Sequence, residues 1–174
     1  MRILIFGDSL ADGLKMSVSE QETVSRYGES SYGLLHFFPN LKYYLENNKY
    51  DLVVLIAGSN DMANDALTCF ALENLKKMHQ MCSRFGVLSM ATTIMHDKFN
   101  IDYQEQCLSM MIPICRFLSE NLDTKYIADD GIHLNELGKN QMSKSLDKTF
   151  QIYTMISCTK LSHKLVKMIL SFLN

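Results

Sequence analysis

Four polar side chains, found in three short clusters of the sequence, have the chemical types that acyl transfer requires. Ser9 lies in the cluster GDSL, Asn60 in GSND, and Asp130 and His133 stand at the two ends of DGIH. A serine hydroxyl can attack an acyl group, an imidazole can take its proton, and a carboxylate can orient the imidazole. A side-chain amide can donate a hydrogen bond to the developing oxyanion. We therefore expect a site that combines Ser9, His133, Asp130 and Asn60.

Short β-rich runs alternate along the chain with longer amphipathic runs, which is the pattern of parallel strands joined by helical crossovers. The predicted strands are residues 2–6, a weak one near 22–26, 51–57, 86–92 and a short one at 124–128. The predicted helices are residues 31–47, 63–84, 102–121, 136–154 and a terminal amphipathic one at 159–173. No linker or repeat divides the chain, so one α/β domain is expected over residues 1–174.

Each cluster comes just after the carboxyl end of a predicted strand, which is the edge where open α/β sheets form ligand sites. This topology would bring Ser9, Asn60 and His133 together although they are far apart in sequence. Taken alone, each cluster is typical of an ordinary turn, because Gly, Asp, Asn and Ser are common turn residues. Their order along the chain and their positions after strands favour a catalytic site.

The clusters resemble the sequence blocks of the GDSL-type SGNH hydrolases, a family of serine esterases, lipases and acetylhydrolases. The match covers nearly the whole chain. It implies a flavodoxin-like three-layer α/β/α sandwich around a mostly parallel five-stranded sheet. It also implies Ser9 as the nucleophile of a catalytic triad with Asp130 and His133, and a reaction that needs no metal or organic cofactor.

A glycine of the family's second block is the remaining expected member of the site. The resemblance implies a glycine within residues 28–33; Gly28, in the sequence YGESS after the weak second strand, is preferred, and Gly33 is the alternative. Glycine suits this position because its backbone amide can approach an oxyanion with no side chain in the way. The expected oxyanion hole contains the amides of Ser9 and Gly28 and the side chain of Asn60.

Other polar residues near the clusters receive structural or minor roles. Asp8 and Asp61 are expected to accept backbone amides or to cap a helix, as short acidic side chains beside turns commonly do. Asp129 is the alternative to Asp130 as the carboxylate that orients His133, but the three-residue spacing to the histidine favours Asp130. His96 follows the fourth predicted strand, so its loop is expected to reach the edge of the site.

The connection between the first two strands is short, because only 18 residues separate Ser9 from Gly28. Parallel strands need a crossover of about a dozen residues or more, so residues 11–20 can form only a short helix. The sheet face there should be thinly covered, and the helix predicted at 159–173 could cover it. A basic amphipathic helix lying on a membrane surface is the alternative for that segment.

The amino-acid composition indicates which partners, which state of the thiols and which cellular location to expect. The 17 Lys and Arg residues against 19 Asp and Glu give a net charge of -2, which does not favour nucleic acid as a partner. The five cysteines contain no CxxC pair, so we expect reduced thiols. No secretory signal or membrane-spanning run is evident, which predicts a cytoplasmic location. The oligomeric state is not indicated.

The motifs indicate the catalytic residues but do not indicate which ester is hydrolysed. Small acyl esters, especially O-acetyl groups on carbohydrates, fit a short chain without an obvious lid insertion, and lysophospholipids are the alternative if the terminal helix contacts lipid. A protein of another class, a catalytically silent binding module, could keep the same fold, because fold alone does not establish activity. The intact serine, asparagine, aspartate and histidine favour the enzyme.

Overall fold

A five-stranded parallel sheet forms the centre of the computed structural model. The structure describes residues 1–17, 20–25, 34–64, 67–120 and 123–158. The strands are β1 (Arg2–Gly7), β2 (Glu20–Ser25), β3 (Leu52–Ile56), β4 (Leu88–Thr92) and β5 (Ile114–Cys115). Their order is β2-β1-β3-β4-β5, and every neighbouring pair is parallel. This is the flavodoxin-like order, so the predicted fold class is confirmed.

Helices cover both faces of the sheet. They are α1 (Leu34–Asn47), α2 (Ser59–Ala63), α3 (Thr68–Arg84), α4 (Asp97–Met110), α5 (Phe117–Glu120) and α6 (Glu136–Cys158). The helix predicted at 63–84 corresponds to α3, which begins at Thr68, while the short helix α2 was not predicted. α1 continues through Pro39 as one element. The helix predicted at 159–173 lies outside the described residues. Within the described ranges, every helix is too short or too polar to cross a bilayer.

Side chains of the central strands point alternately to the two faces of the sheet and pack into two apolar cores, one on each face. In β1 and β3, one set of side chains packs with α1, α3 and α4: Leu4, Phe6, Val53 and Leu55. The other set packs with α5 and α6: Ile3, Ile5, Leu52, Val54 and Ile56. Strands that are buried on both faces read as continuous apolar runs, which is why both were evident in the sequence.

The strand predicted at 124–128 is wrong. Residues Thr124–Tyr126 form a 3₁₀ turn, because the carboxylate of Asp123 accepts the amide hydrogen two residues later and starts a turn there. Ile127 then forms an isolated antiparallel bridge with Leu134. The DGIH cluster therefore lies in a loop closed by this bridge, and does not follow a strand of the sheet.

The fifth strand is instead the two-residue β5, which lies inside the helix predicted at 102–121. Pro113 separates α4 from β5, because proline lacks an amide hydrogen and its ring crowds the preceding helical turn. The Pro113 carbonyl accepts the amide hydrogen of Ala91 at 2.9 Å, which extends the pairing between β4 and β5. The sheet thus has five strands, as predicted, but the fifth is Ile114–Cys115 and not 124–128.

The first crossover contains no α-helix among its described residues, contrary to the short helix predicted at 11–20. A 3₁₀ turn at Ser9–Ala11 is followed by non-helical backbone to residue 17. Hydrogen bonds to α6 hold this segment in place, since the Ser17 hydroxyl donates to the Asp147 carboxylate at 2.7 Å. The sheet face that we expected to be thinly covered is covered by an apolar cluster. The cluster contains residues of this segment, of the bridge and of α6: Leu14, Met16, Leu134, Met142 and Leu146.

Candidate active site

The nucleophile and oxyanion clusters lie beside each other where the strand order reverses. Ser9 begins the 3₁₀ turn directly after β1, and Asn60 lies in the first turn of α2, directly after β3. β1 and β3 are neighbours, with Gly7 in register with Ile56. Chains leaving the two strands run in opposite directions along the sheet, so a crevice forms between them. The structure thus brings both clusters to one edge, as predicted.

Two glycines allow this close approach. A Cβ atom at Gly7 would overlap the carbonyl of Ile56, so any larger residue would push β1 and β3 apart. Gly58 has a φ of 112°, in the left-handed region, and turns the chain from β3 into α2. A side chain at Gly58 would be strained by this backbone and crowded by Phe99. Both glycines therefore help to set the positions of Ser9 and Asn60.

A chain of hydrogen bonds joins the serine, the histidine and the aspartate. The Oγ of Ser9 is 2.9 Å from Nε2 of His133, and Nδ1 of His133 is 2.6 Å from Oδ2 of Asp130. The carboxylate can only accept, so Nδ1 carries the proton and Nε2 is the acceptor for the serine hydroxyl. This tautomer is the one that a general base acting on Ser9 requires.

The loop around Asp130 holds its carboxylate in the ionised form. Oδ1 of Asp130 accepts the amide hydrogens of His133 and Ile132, both at 2.9 Å. The His133 amide, followed by the His133 ring and the Ile132 amide, keeps the pKa of Asp130 well below its usual range. The structure therefore places Asp130, rather than Asp129, against the imidazole.

The predicted oxyanion donors are described only in part. Asn60 is half-buried in α2, and its backbone carbonyl accepts the amide hydrogen of Asn64. Gly28 and its alternative Gly33 lie outside the described residues. Ser59, next to Asn60, borders the same cavity as Leu10, next to Ser9. The segments that carry Ser9 and Asn60 therefore face a common space.

Asp8 and Asp61 accept backbone amides, as predicted. Oδ1 of Asp8 accepts the amide hydrogen of Leu10 at 3.0 Å and caps the 3₁₀ turn that carries Ser9. Both carboxylate oxygens of Asp61 lie within 3.2 Å of the Leu34 amide nitrogen, at the start of α1. Burial raises the pKa of Asp61. The two carboxyl groups fix the backbone on either side of the site.

Asp8 is also an unusual buried acid. Its residue is 1% exposed, and burial raises the pKa of its carboxyl from 3.8 to about 6. The Leu10 amide and the adjacent Ser59 offset this effect only in part. Oδ2 of Asp8 and Oγ of Ser59 each lack a hydrogen-bond partner among the described residues. Ionisation of Asp8 therefore creates a buried charge that its hydrogen-bond donors stabilise only in part.

Replacing Asp8 with asparagine should stabilise the protein above about pH 6. The folded state holds the Asp8 proton more tightly than the unfolded chain, so the free energy of unfolding falls as the pH rises from about 4 to about 6. The pKa change from 3.8 to about 6 corresponds to an upper bound of roughly 3 kcal/mol. Asparagine keeps the acceptor for Leu10 and never ionises. Urea unfolding at about pH 8 and about pH 4 should show a gain only at the higher pH.

The control for this substitution is Asp102→Asn, which removes an exposed carboxylate from α4. It should leave the free energy of unfolding nearly unchanged at both pH values, as surface substitutions usually do. An Asp8→Asn variant that is no more stable than the starting protein at about pH 8 would contradict the account of Asp8 given above.

Two neighbouring cavities open beside the Ser9–His133 pair. The smaller, of about 130 Å³, is bordered mainly by polar and charged side chains: Ser9, Asp12, Asp130, His133 and Lys139. The larger, of about 290 Å³, is bordered mainly by apolar side chains: Leu10, Met62, Ala63, Ile94, Met95 and Ile132. Leu10 borders both cavities, and the DGIH loop contributes to both.

His96 borders the larger cavity, as its position after the fourth strand suggested. Its Nδ1 accepts the amide hydrogen of Phe99 at 3.2 Å and so caps α4. Sequence reasoning did not single out Met62, Met95 or Ile132. A signal was present for two of them, because Met62 lies two residues after Asn60 and Ile132 lies inside the DGIH cluster. Apart from this proximity to the motifs, their residue types do not distinguish them from ordinary core residues.

Comparisons with known proteins identify the fold. No family model and no curated protein matches the sequence. Among solved structures, the chain is similar to a member of the lipolytic G-D-S-L family from Veillonella parvula, with a TM-score of 0.71 and 15% identity over 86% of this chain and 98% of that one. It is similar to the psychrotrophic esterase EstA from Pseudoalteromonas sp., with a TM-score of 0.68 and 16% identity over 88% and 98% of the two chains.

A third similar structure is the acetyl xylan esterase AlAXEase, with a TM-score of 0.68 and 13% identity over 84% of this chain and 98% of that one. The three matches span nearly all of each known structure, so the similarity extends over a whole domain. The resemblance seen in the sequence is confirmed at the level of the fold. This chain has the fold of the GDSL-type SGNH hydrolases.

Proposed function

We propose that this protein is a serine-dependent carboxylic ester hydrolase that works through an acyl-serine intermediate. One observation carries the proposal: Ser9, His133 and Asp130 are joined by hydrogen bonds of 2.9 and 2.6 Å. Ser9 and His133 are 124 residues apart in the sequence. The fold does not require that their side chains meet, or that Asp130 lies behind the histidine. The alignment is what a nucleophile, its base and an orienting carboxylate require.

The first half of the reaction transfers the acyl group to Ser9. Oγ of Ser9 attacks the ester carbonyl carbon while its proton moves to Nε2 of His133. The Asn60 side chain and the amides of Ser9 and Gly28 are the proposed donors to the oxyanion, and one such donor typically contributes ~10²–10³ to kcat. The bond to the alcohol oxygen then breaks, and His133 returns the proton to the departing alcohol.

The second half of the reaction releases the acid. A water molecule attacks the acyl-serine carbonyl as His133 takes its proton, and the same oxyanion donors act again. The bond to Ser9 Oγ breaks, and the proton on His133 restores the hydroxyl. Asp130 stays ionised throughout and stabilises the imidazolium that forms twice in each turnover.

The substrates that we propose are small acyl esters, especially O-acetyl esters of carbohydrates. The cavity of about 130 Å³ that holds Ser9 and His133 is polar, which suits a sugar hydroxyl as the alcohol. One of the similar structures is an acetyl xylan esterase. A binding module without activity is the alternative function, but it gives no reason for the hydrogen bond from the serine to the histidine.

Covalent labelling tests the proposal directly. A fluorophosphonate probe should label the folded full-length chain at one site, and mass spectrometry of the digest should map the adduct to Ser9. The urea-unfolded chain is the control, because an unfolded serine lacks the base that activates it. A folded chain that takes up no label, or that is labelled at another residue, would refute the proposed mechanism.

A further inference from the structure

We propose that a third cavity, at the amino edge of the sheet, binds a short N-acylated peptide through its free carboxylate and one of its backbone amides. The cavity has a volume of about 560 Å³, in the usual range for small-molecule sites. It lies where β4 begins, whereas Ser9 lies at the opposite, carboxyl edge of the sheet. The proposed site is therefore separate from the proposed ester hydrolysis and does not depend on it.

The amino end of β4 has no neighbouring strand on its β5 side within the described part of the chain. β5 pairs with β4 only at Ala91 and Thr92. The amide hydrogens of Ala91 and Thr93 are donated to the β5 segment, and that of Leu88 is donated to the β3 side. Because successive strand residues alternate, the N–H and C=O groups of Ser89 also point to the β5 side. Neither group has a backbone partner among the described residues.

Two residues prevent β5 from continuing alongside Ser89. Pro113 has no amide hydrogen, so it cannot donate to the Ser89 carbonyl. Met111 has a φ of 57°, in the left-handed region, and turns the chain away at the end of α4. An open donor and acceptor on an edge strand can pair with another extended segment. The fold thus leaves one residue of β4 available for strand-like pairing.

The third cavity lies at this open edge, because helices from both faces of the sheet border it. Gln80 and Arg84 come from α3, and Tyr153 comes from α6, which packs on the opposite face. Met110 and Ile112 add apolar side chains next to the strand. Such side chains suit an apolar ligand group, since methionine adapts to irregular shapes. The lining therefore combines polar groups with an apolar surface.

A buried chain of hydrogen bonds holds Ser89 in place. Nδ1 of His79 is 2.8 Å from Oγ of Ser89, and Nε2 of His79 is 2.9 Å from the hydroxyl of Tyr103. His79 is 1% exposed, and burial lowers its pKa to about 3. The ring is therefore neutral at physiological pH. It fixes the wall of the cavity without adding a charge to it.

The charge of the cavity favours an anion. Among the described residues that border it, Arg84 carries a positive charge and none is a carboxylate. The helix ends nearby do not offset this charge, because their carbonyls are already bonded. Those of Cys82 and Cys107 accept the amide hydrogens of Val87 and Ile112. A guanidinium binds a carboxylate through two parallel hydrogen bonds, so Arg84 suits a carboxylate ligand.

One short peptide can satisfy both Ser89 and Arg84. In antiparallel pairing, one ligand residue exchanges both backbone hydrogen bonds with the residue opposite. A peptide that runs antiparallel to β4 ends towards the amino end of the strand, which Arg84 precedes by a few residues. N-acetyl-leucyl-leucine has about 20 non-hydrogen atoms, and a cavity of about 560 Å³ accommodates this number at roughly 30 Å³ per water-sized group.

Calorimetric titration of the full-length chain with N-acetyl-leucyl-leucine tests the proposal. We expect binding at one site per chain. The C-terminal amide of the same peptide should bind ~10-fold more weakly or worse, because it lacks the carboxylate. Methylation of the first leucine nitrogen should weaken binding by a similar factor, because it removes the donor to the Ser89 carbonyl. Absence of binding up to about 10 mM peptide would overturn the proposal.

The location of the site is tested by Arg84→Gln, with Lys77→Gln as the matched control. Both residues are exposed on α3, but only Arg84 borders the cavity. Arg84→Gln should weaken binding of the peptide acid by ~10-fold and leave binding of the peptide amide unchanged. Lys77→Gln should change neither. Equal effects of the two substitutions would overturn the proposal, as would Arg84-dependent binding of octanoate, which has no amide, with the affinity of the peptide.

Discussion

Ser9→Ala should lower kcat/KM for p-nitrophenyl esters by ~10⁴-fold or more, because it removes the atom that forms the acyl-enzyme. Some rate enhancement should survive, since oxyanion donors and substrate binding act without the nucleophile. The loss should appear in kcat rather than in KM, because the hydroxyl oxygen contributes little to ground-state binding. Steady-state kinetics and fluorophosphonate labelling, measured on the same preparation, would both report the change.

The fold should be retained in Ser9→Ala. Ser9 is half-buried and its hydroxyl bonds to the half-buried His133, so no fully buried polar group loses its partner. The control is Ser109→Ala, an exposed serine on α4 whose loss should change neither activity nor labelling. A Ser9→Ala protein with more than about a tenth of the original kcat would exclude Ser9 as the nucleophile.

His133→Ala should have an effect of similar size, with kcat lower by ~10⁴–10⁶-fold, because a serine hydroxyl without a base is a weak nucleophile. Asp130→Asn should cost less, about 10²–10⁴-fold. Asparagine can still accept the amide hydrogens of His133 and Ile132 through Oδ1. It would, however, place an NH₂ group against Nδ1 of His133 and favour the tautomer that cannot accept the serine proton.

The pH profile separates the roles of these two residues. The activity of the starting protein should fall on acidification with a slope of about one, because protonated His133 cannot accept the Ser9 proton. Asp130 should not contribute to this limb, since hydrogen bonds hold its pKa well below the usual range and it stays ionised. A rate that does not change on acidification, while the protein stays folded, would contradict the role of His133 as the base.

The placement of Ser9 and Asn60 at one edge of the sheet was predictable because it depends on local signals. Ser9 and Asn60 follow strands that are buried on both faces, and such strands appear as uninterrupted apolar runs. A parallel sheet then places both strand ends at one edge. The spacing of Asp130 and His133 is also local, because a short Asx-type turn at Asp130 brings the carboxylate to the ring three residues later.

Other features depend on long-range contacts and could not be predicted. β5 has two residues, too few for a periodic pattern, and only its pairing with β4 defines it. The segment from Asp12 to Ser17 is fixed by α6, more than a hundred residues later. The cavity linings are apolar residues whose composition matches the core. Whether such a residue lines a cavity depends on the packing of the whole fold, and no local sequence pattern predicts that.

The separation of the site residues along the chain has a consequence for folding. The contact between Ser9 and His133 spans 124 residues, and α6 must dock before the segment after Ser9 is held in place. Contacts of such high sequence separation have a large loop-closure entropy and form late. A chain that has emerged from the ribosome only as far as β4 would expose the serine without its base. Hydrolytic activity in a refolding reaction should therefore mark the last steps of assembly, after the sheet has formed.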